Sequence, residues 1–173
     1  MKLLWCCMAA LFSLSVCSAG NPSSKNNAHV YISHFENVLG TSLELKLMTP
    51  LKATADIAEN AVLKEISRMS GILSAYDKNS EFSKWLGTSQ VPVKISSELF
   101  EVLQLFDEWK TRSGGALDAS AETISRVWKH AAAAQRIPTN EEIAMALIKV
   151  KQQHWKLDAA THTATHLSNA PLM

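Results

Sequence analysis

Polar and apolar positions along this chain follow two periods. Ser42, Glu44 and Lys46 alternate with Leu43, Leu45 and Leu47. Successive side chains of a strand point to opposite faces, so this stretch predicts a half-buried strand. Gly40 interrupts the pattern, as at a bulge or a close backbone approach. From Pro50 the period changes. Leu51, Ala55, Ala58, Val62, Ile66, Met69 and Leu73 recur at three- and four-residue steps and form one apolar stripe of a long helix. Asp77, Asn79 and Ser80 then mark a turn, and Ser80 is placed to cap a short helix holding Phe82 and Trp85.

Val91 to Ser96 reads as a short strand, and Pro92 near its start assigns it to a sheet edge. A second clear helix follows. Ser96 caps it, Leu99, Val102, Leu103, Phe106 and Trp109 form its inward face, and Gly114-Gly115 end it. A short helix carries Ile124, Val127 and Trp128. Another opens on a capping box, Thr139 with Glu142. The C-terminal stretch reads as a hairpin around Asp158-Ala159-Ala160, whose second strand puts His162, Ala164 and His166 on one side and threonines on the other. The order is strand, helix, helix, strand, three helices, strand, strand. Strands separated by more than single helices favour an α+β fold, a mostly antiparallel sheet packed against helices, over a doubly wound parallel sheet.

Composition changes the picture mainly at the N-terminus. One lysine, an uncharged apolar run from Leu3 to Val16 and then small residues make residues 1–19 a secretory signal peptide, too short to span a membrane comfortably. Cleavage after Ala19 leaves Gly20 first. The alternative is a lipoprotein cut before Cys17, which would anchor the chain to the membrane. Either way the protein is expected to be exported to the periplasm. Residues 20–29 are polar, rich in breakers and read as a flexible linker, leaving 30–173 as the folded part. All three cysteines, Cys6, Cys7 and Cys17, lie in the leader, which excludes a disulfide framework, a cysteine nucleophile and a zinc-thiolate site in a chain that starts at Gly20. The formal charge of +1 comes from 17 basic and 16 acidic residues without a basic stripe, which argues against nucleic acid as a partner. Self-association is left open.

Candidate chemistry is sparse. The chain has no phosphate-binding loop, dinucleotide glycine fingerprint or serine elbow. His162 and His166 lie two steps apart on one strand face, too far apart for one ion without a third ligand, so an exposed strand face is the better reading. Trp85, Trp109 and Trp128 sit at apolar helical positions and read as core. Tyr76 ends the long stripe, where its ring would project from a helix end. Asp118 is the acid nearest the paired glycines and reads as a solvated helix N-cap.

Three segments in register resemble the ApbE family of FAD:protein FMN transferases, formerly called thiamine biosynthesis lipoproteins. They are Leu39-Gly40-Thr41, matching a Met-Gly-Thr-like turn; Ser74-Ala75-Tyr76 with Ser80-Glu81-Phe82-Ser83; and Ser113 to Asp118, matching Ser-Gly-Gly-Ala-Phe-Asp with Leu117 for Phe. Val127-Trp128 matches a following Leu-Trp-like helix. The resemblance covers essentially the whole mature chain. It implies a T-fold-like domain in an exported enzyme that takes FAD and magnesium (Mg2+). Such an enzyme attaches FMN to a threonine hydroxyl of a flavin-acceptor protein and releases AMP. By position, Leu39, Tyr76, Ala116, Leu117 and Asp118 would contact FAD. Gly114 and Gly115 would let the backbone beside Ala116 approach a flat cofactor.

Two departures bear on what to expect. Leu39 replaces the usual Met, a volume-conserving change. The Ala-Lys-Gly motif and the later residues that supply most magnesium ligands in the family have no counterpart in these 173 residues. The expectation is therefore an N-terminal portion of such a domain, with the catalytic residues outside it, no metal ligands assigned within it, and little or no catalysis of its own. The rival expectations are a non-catalytic periplasmic flavin-binding or scaffold protein and an unstable broken-gene product.

Overall fold

The computed structural model describes residues 28–172, and the leader and most of the linker lie outside that range. Strands β1 (His29–Val38) and β2 (Thr41–Thr49) pair antiparallel as a two-stranded hairpin. Leu39 and Gly40 make its turn with φ of 52° and 76°. Two consecutive left-handed residues are the turn whose twist matches the flanking strands. Gly40 therefore closes a hairpin and does not bulge within one strand, as its spacing had suggested. The irregularity lies upstream, between Phe35 and Val38, where Asn37 has φ of 61°. β1 begins at His29, within the stretch read as linker.

Helix α1 (Lys52–Leu73) runs from the hairpin into the body and contacts β2, α2 and α3. Its stripe delivers only Ala55 to full burial; Leu51 is exposed, and Ala58, Val62, Ile66, Met69 and Leu73 are half-covered. The Ser33 hydroxyl donates to the Glu59 carboxylate, tying β1 to α1. Short α2 (Glu81–Leu86) and α3 (Ser97–Arg112) both start as expected: Ser80 Oγ accepts from Ser83 N–H at 3.0 Å and Ser96 Oγ from Leu99 N–H at 3.3 Å. After α4 (Glu122–Ala133), α5 (Asn140–Val150) opens on the anticipated capping box of Thr139 and Glu142.

β3 (Pro92–Lys94), β4 (Trp155–Asp158) and β5 (Thr163–His166) form a second antiparallel sheet in the order β3-β5-β4, so β3 does lie at an edge. Trp85, Leu99, Leu103, Trp155 and Ala164 pack between this sheet and α2 and α3, all at most 5% exposed. Fully burying a large apolar side chain contributes about 1.5–3 kcal/mol, so this cluster carries most of the body's stability. Both buried indole N–H groups are satisfied. Trp85 donates to the Ala164 carbonyl at 3.2 Å, and Trp155 to Asp107 Oδ2 at 3.0 Å.

Several sequence readings are corrected by this packing. Trp109 and Trp128 are not core: they are 48% and 51% exposed, and the Arg112 guanidinium sits 5.5 Å over the Trp109 ring. The β5 face bearing Ala164 and His166 is the buried one, because Ala164 packs into the core and His166 lies against Trp85. His162 stacks on Phe100 at 4.6 Å. The fold class stands as read: α+β, with antiparallel sheets and helices.

Candidate functional site

The hairpin turn and the end of α1 enclose one groove of about 1000 Å³, whose lining includes Leu39, Gly40, Met69, Ser70, Leu73 and Tyr76. Leu39 is 70% exposed and Tyr76 is 85% exposed. Each is presented by a defined backbone. Leu39 occupies a left-handed position that costs an L-residue with a Cβ roughly 1–2 kcal/mol.

Tyr76 is held by serines. Ser74 Oγ accepts from the Tyr76 and Asp77 N–H groups at 3.2 and 3.1 Å. Fully buried Ser80 donates its hydroxyl to the Ser74 carbonyl at 2.6 Å while capping α2, and Ser83 donates to the same carbonyl at 3.2 Å. The turn is pinned from both sides and projects an aromatic ring into solvent at the groove's mouth.

Ala116, Leu117 and Asp118 lie elsewhere, in the loop between α3 and α4. Gly114 and Gly115 have φ of 61° and 87°, and the Gly115 N–H reaches back to the Lys110 carbonyl at 2.8 Å. A Cβ on either glycine would meet no atom within 4 Å. The paired glycines are therefore required by a left-handed helix end, and the space beside them is open. Ala116 and Leu117 are exposed.

Asp118 is not the solvated N-cap its position suggested. Its side chain is 4% exposed, with Lys110 Nζ 2.6 Å from Oδ2. Its Oδ1 accepts from Ser120 N–H at 2.8 Å and from the Ser120 hydroxyl at 2.6 Å. Burial opposes the carboxylate, but Lys110 and Ser120 outweigh it and hold the Asp118 pKa below the usual carboxylate range. Lys110 also donates to the Val150 carbonyl at 3.2 Å, fastening the loop to the end of α5.

His154, 4% exposed, completes this cluster. Its Nδ1 lies 2.7 Å from Ser168 Oγ, and its Nε2 lies 3.2 Å from the Val150 carbonyl and 3.9 Å from Asp118 Oδ1. A neutral ring satisfies these contacts, with Nε2–H donating to Val150 and Nδ1 accepting from Ser168. Burial lowers the His154 pKa, against the opposing pull of the Val150 carbonyl and Asp118. A cavity of about 270 Å³ opens beside the cluster, lined by Lys110, Asp118, His154 and Trp155 among others.

The structure thus joins Leu39 with Tyr76 in one groove and puts Asp118 in a separate ion-pair cluster. Lys110 and His154 were not legible as site residues. No local motif links a lysine in a helix's last turn to an acid beyond a glycine pair, or to a histidine after α5. Among the described residues no three His, Cys, Asp or Glu side chains are grouped as for a metal ion, and no helix is long and apolar enough to cross a membrane.

The family model for the ApbE family matches residues 39–172, from the hairpin turn to the end of the described chain. The fold is similar to that of flavinyl transferase ApbE from Pseudomonas stutzeri in its apo form, at 19% identity and a TM-score of 0.60, covering 84% of this chain and 47% of that one. The ApbE protein from Thermotoga maritima gives 20% identity and a TM-score of 0.66, covering 83% and 47%. Flavin transferase ApbE from Vibrio cholerae gives 19% and 0.59, covering 83% and 46%. The chain spans about half the length of these solved structures. No functionally curated protein matches it in sequence. At these identities the structural likeness speaks for the fold, and the family match over residues 39–172 carries the assignment: the chain belongs to the ApbE family.

Proposed function

We propose that this chain serves FAD:protein FMN transfer and that residues 28–172 supply the part that grips the flavin nucleotide. The observation that carries this reading is the groove shared by Leu39 and Tyr76. It is large enough for a nucleotide, mainly apolar along α1 through Ile66, Met69 and Leu73 with Glu65 and Ser70 beside them, and edged by one aromatic ring held on a pinned turn. Tyr76 offers a face for a flat ring to stack on, and Leu39 covers it from the hairpin. The Ala116-Leu117-Asp118 loop lines no part of this groove; its exposed backbone and Leu117 are proposed as a second, separate contact to the nucleotide. Asp118 acts there through the loop, because its carboxylate is engaged by Lys110 and Ser120.

In the full reaction FAD is split between its phosphates, FMN passes to a threonine hydroxyl of an acceptor protein, and AMP leaves. Magnesium neutralises phosphate charge in such transfers. The described residues do not gather a ligand set for it. The role proposed for residues 28–172 is FAD binding. The leader, residues 1–19, directs the chain to the periplasm in this reading, with Cys17 as the alternative lipid anchor.

Titrating the chain, from Gly20 onward, into FAD and following flavin fluorescence tests the reading. Saturable binding that weakens in Tyr76→Ala supports it. Absence of saturation at millimolar FAD refutes it. A flavinylated threonine acceptor formed by this chain with magnesium would keep the family function and refute the division of labour.

A further inference from the structure

Strand β2 is an open edge. Among the described residues it pairs only with β1, and no backbone–backbone hydrogen bond from a turn or loop reaches Thr41–Thr49. Alternate residues of β2 therefore point their N–H and C=O groups away from β1 without a partner strand. Edge strands are commonly guarded against pairing by bulges, prolines or short length. β1 has such a guard in the irregularity between Phe35 and Val38. β2 has none: it runs nine residues, keeps one register from Leu43 to Thr49, and meets a proline only at Pro50, beyond its end.

Its two faces differ in chemistry. Ser33, opposite Leu45 in the register, bonds Glu59 of α1, so the face of Leu43, Leu45 and Leu47 is the one turned to the helix. Those leucines are only half-buried there, while Glu44, Lys46 and Met48 on the other face are exposed. Glu44 Oε1 lies 2.6 Å from Lys46 Nζ along the strand.

The strand is self-complementary about Leu45. Antiparallel pairing with a second β2, around a twofold axis at Leu45, sets Glu44 opposite the partner's Lys46 and Lys46 opposite the partner's Glu44. The four charges then alternate in sign around a square. The same register sets Leu43 opposite the partner's Leu47 and Leu45 opposite the partner's Leu45, which continues the leucine face across the axis. Other registers are worse. Sliding one copy by two residues puts Glu44 against Glu44 or Lys46 against Lys46, and like charges directly opposite are unfavourable. Sliding by one sets leucine against charge and turns the two α1 helices to opposite faces. The twofold register instead gives a four-stranded sheet, β1-β2-β2-β1, with both α1 helices on one side. A two-stranded hairpin is marginal by itself, whereas three or more strands with an apolar face are not.

We propose that β2 is a dimerisation edge and that its occupant is a second copy of this chain, paired antiparallel about Leu45. Glu44 and Lys46 line no part of the flavin groove, so the edge stands independently of the flavin-transferase reading. The pairing reverses on dilution, which returns the hairpin to two strands.

Sedimentation equilibrium of the chain from Gly20 onward is expected to show a monomer–dimer equilibrium. Lys46→Glu and Glu44→Lys each place four like charges around the axis and should raise the dimer Kd about tenfold or more. The double exchange, Glu44→Lys with Lys46→Glu, rebuilds the alternating square and should regain the parent Kd, which a folding defect would not do. The two single variants, mixed, should associate with each other in preference to themselves. Leu45→Cys puts the sole thiol of a chain starting at Gly20 on the axis, and oxidation should yield a disulfide-linked dimer, since directly opposed residues of an antiparallel pair are within disulfide reach. Circular dichroism confirms that each variant is folded. A chain that stays monomeric at about 1 mM overturns the proposal. A dimer indifferent to both charge reversals, or one that the double exchange fails to restore, overturns it too and puts the contact on another surface.

Discussion

Lys110 Nζ lies 2.6 Å from Asp118 Oδ2, and this contact ties the last turn of α3 to the loop that leads into α4. The carboxylate is 4% exposed and the lysine side chain 33%. Removing the cation strands a buried charge. Lys110→Met is therefore expected to cost roughly 3 kcal/mol in urea unfolding. Lys110→Met combined with Asp118→Asn should cost less than the sum of the two single changes, because neither partner is then left alone. Strict additivity would show that the pair is not coupled.

The buried imidazole sets a pH dependence. The folded-state pKa of His154 lies below its ordinary value of about 6.5, so the unfolded chain takes up a proton first as the pH falls. Stability is complete above that ordinary value and declines as the pH drops through it. Asp118, whose folded pKa is also depressed, adds a second loss, confined to pH below the usual carboxylate value of about 3.9. Thermal melts between pH about 7 and 5 should show a falling Tm that His154→Gln flattens, with the acid limb retained. A slope unchanged by the substitution would assign the dependence to another group.

Leu39 is a leucine where the backbone asks for asparagine or glycine, at φ of 52°. Leu39→Asn relieves the strain and should raise stability by about 1 kcal/mol. It also removes the apolar cover from the groove, so FAD affinity should fall. Melting temperature and FAD titration, measured on one preparation, read both effects. A loss of stability, or an unchanged affinity, would contradict this account of the turn.

Tyr76 is 85% exposed and its position is fixed through backbone contacts, so Tyr76→Ala should shift stability by no more than about 0.5 kcal/mol. Ring stacking on a nucleobase-like system is worth about 1–3 kcal/mol, so the same change should weaken FAD binding about fivefold or more. Tyr76→Phe should keep the affinity, since the ring face carries the contact.

Local signals were read well where one rule dominated. The serine caps of α2 and α3 and the Thr139–Glu142 box rest on contacts within a few residues, the stripe of α1 on helical spacing, and the edge position of Pro92 on its missing N–H. β1 escaped because both of its faces carry apolar residues. Val30 and Ile32 are 56% and 52% exposed, while Tyr31 and Phe35 turn inward, so no alternation stands out. Trp109 and Trp128 misled for the complementary reason: apolar spacing marks a helix face, and how much of that face gets covered depends on tertiary packing. For the site, Leu39 and Tyr76 could be singled out from the sequence, but their meeting in one groove depends on the hairpin folding back on α1. The real surroundings of Asp118 come from Lys110 and His154, partners no short pattern connects.

The β1–β2 hairpin is a sheet of only two strands, and its main contact with the rest of the described chain runs through α1. Such a unit opens independently of the core, so its amides should exchange with deuterium sooner than those of β4 and β5. A ligand that bridges Leu39 and Tyr76 would clamp it to the body. Occupancy should then slow exchange along both strands as far as His29 and Thr49, at the end of the hairpin remote from the ligand itself.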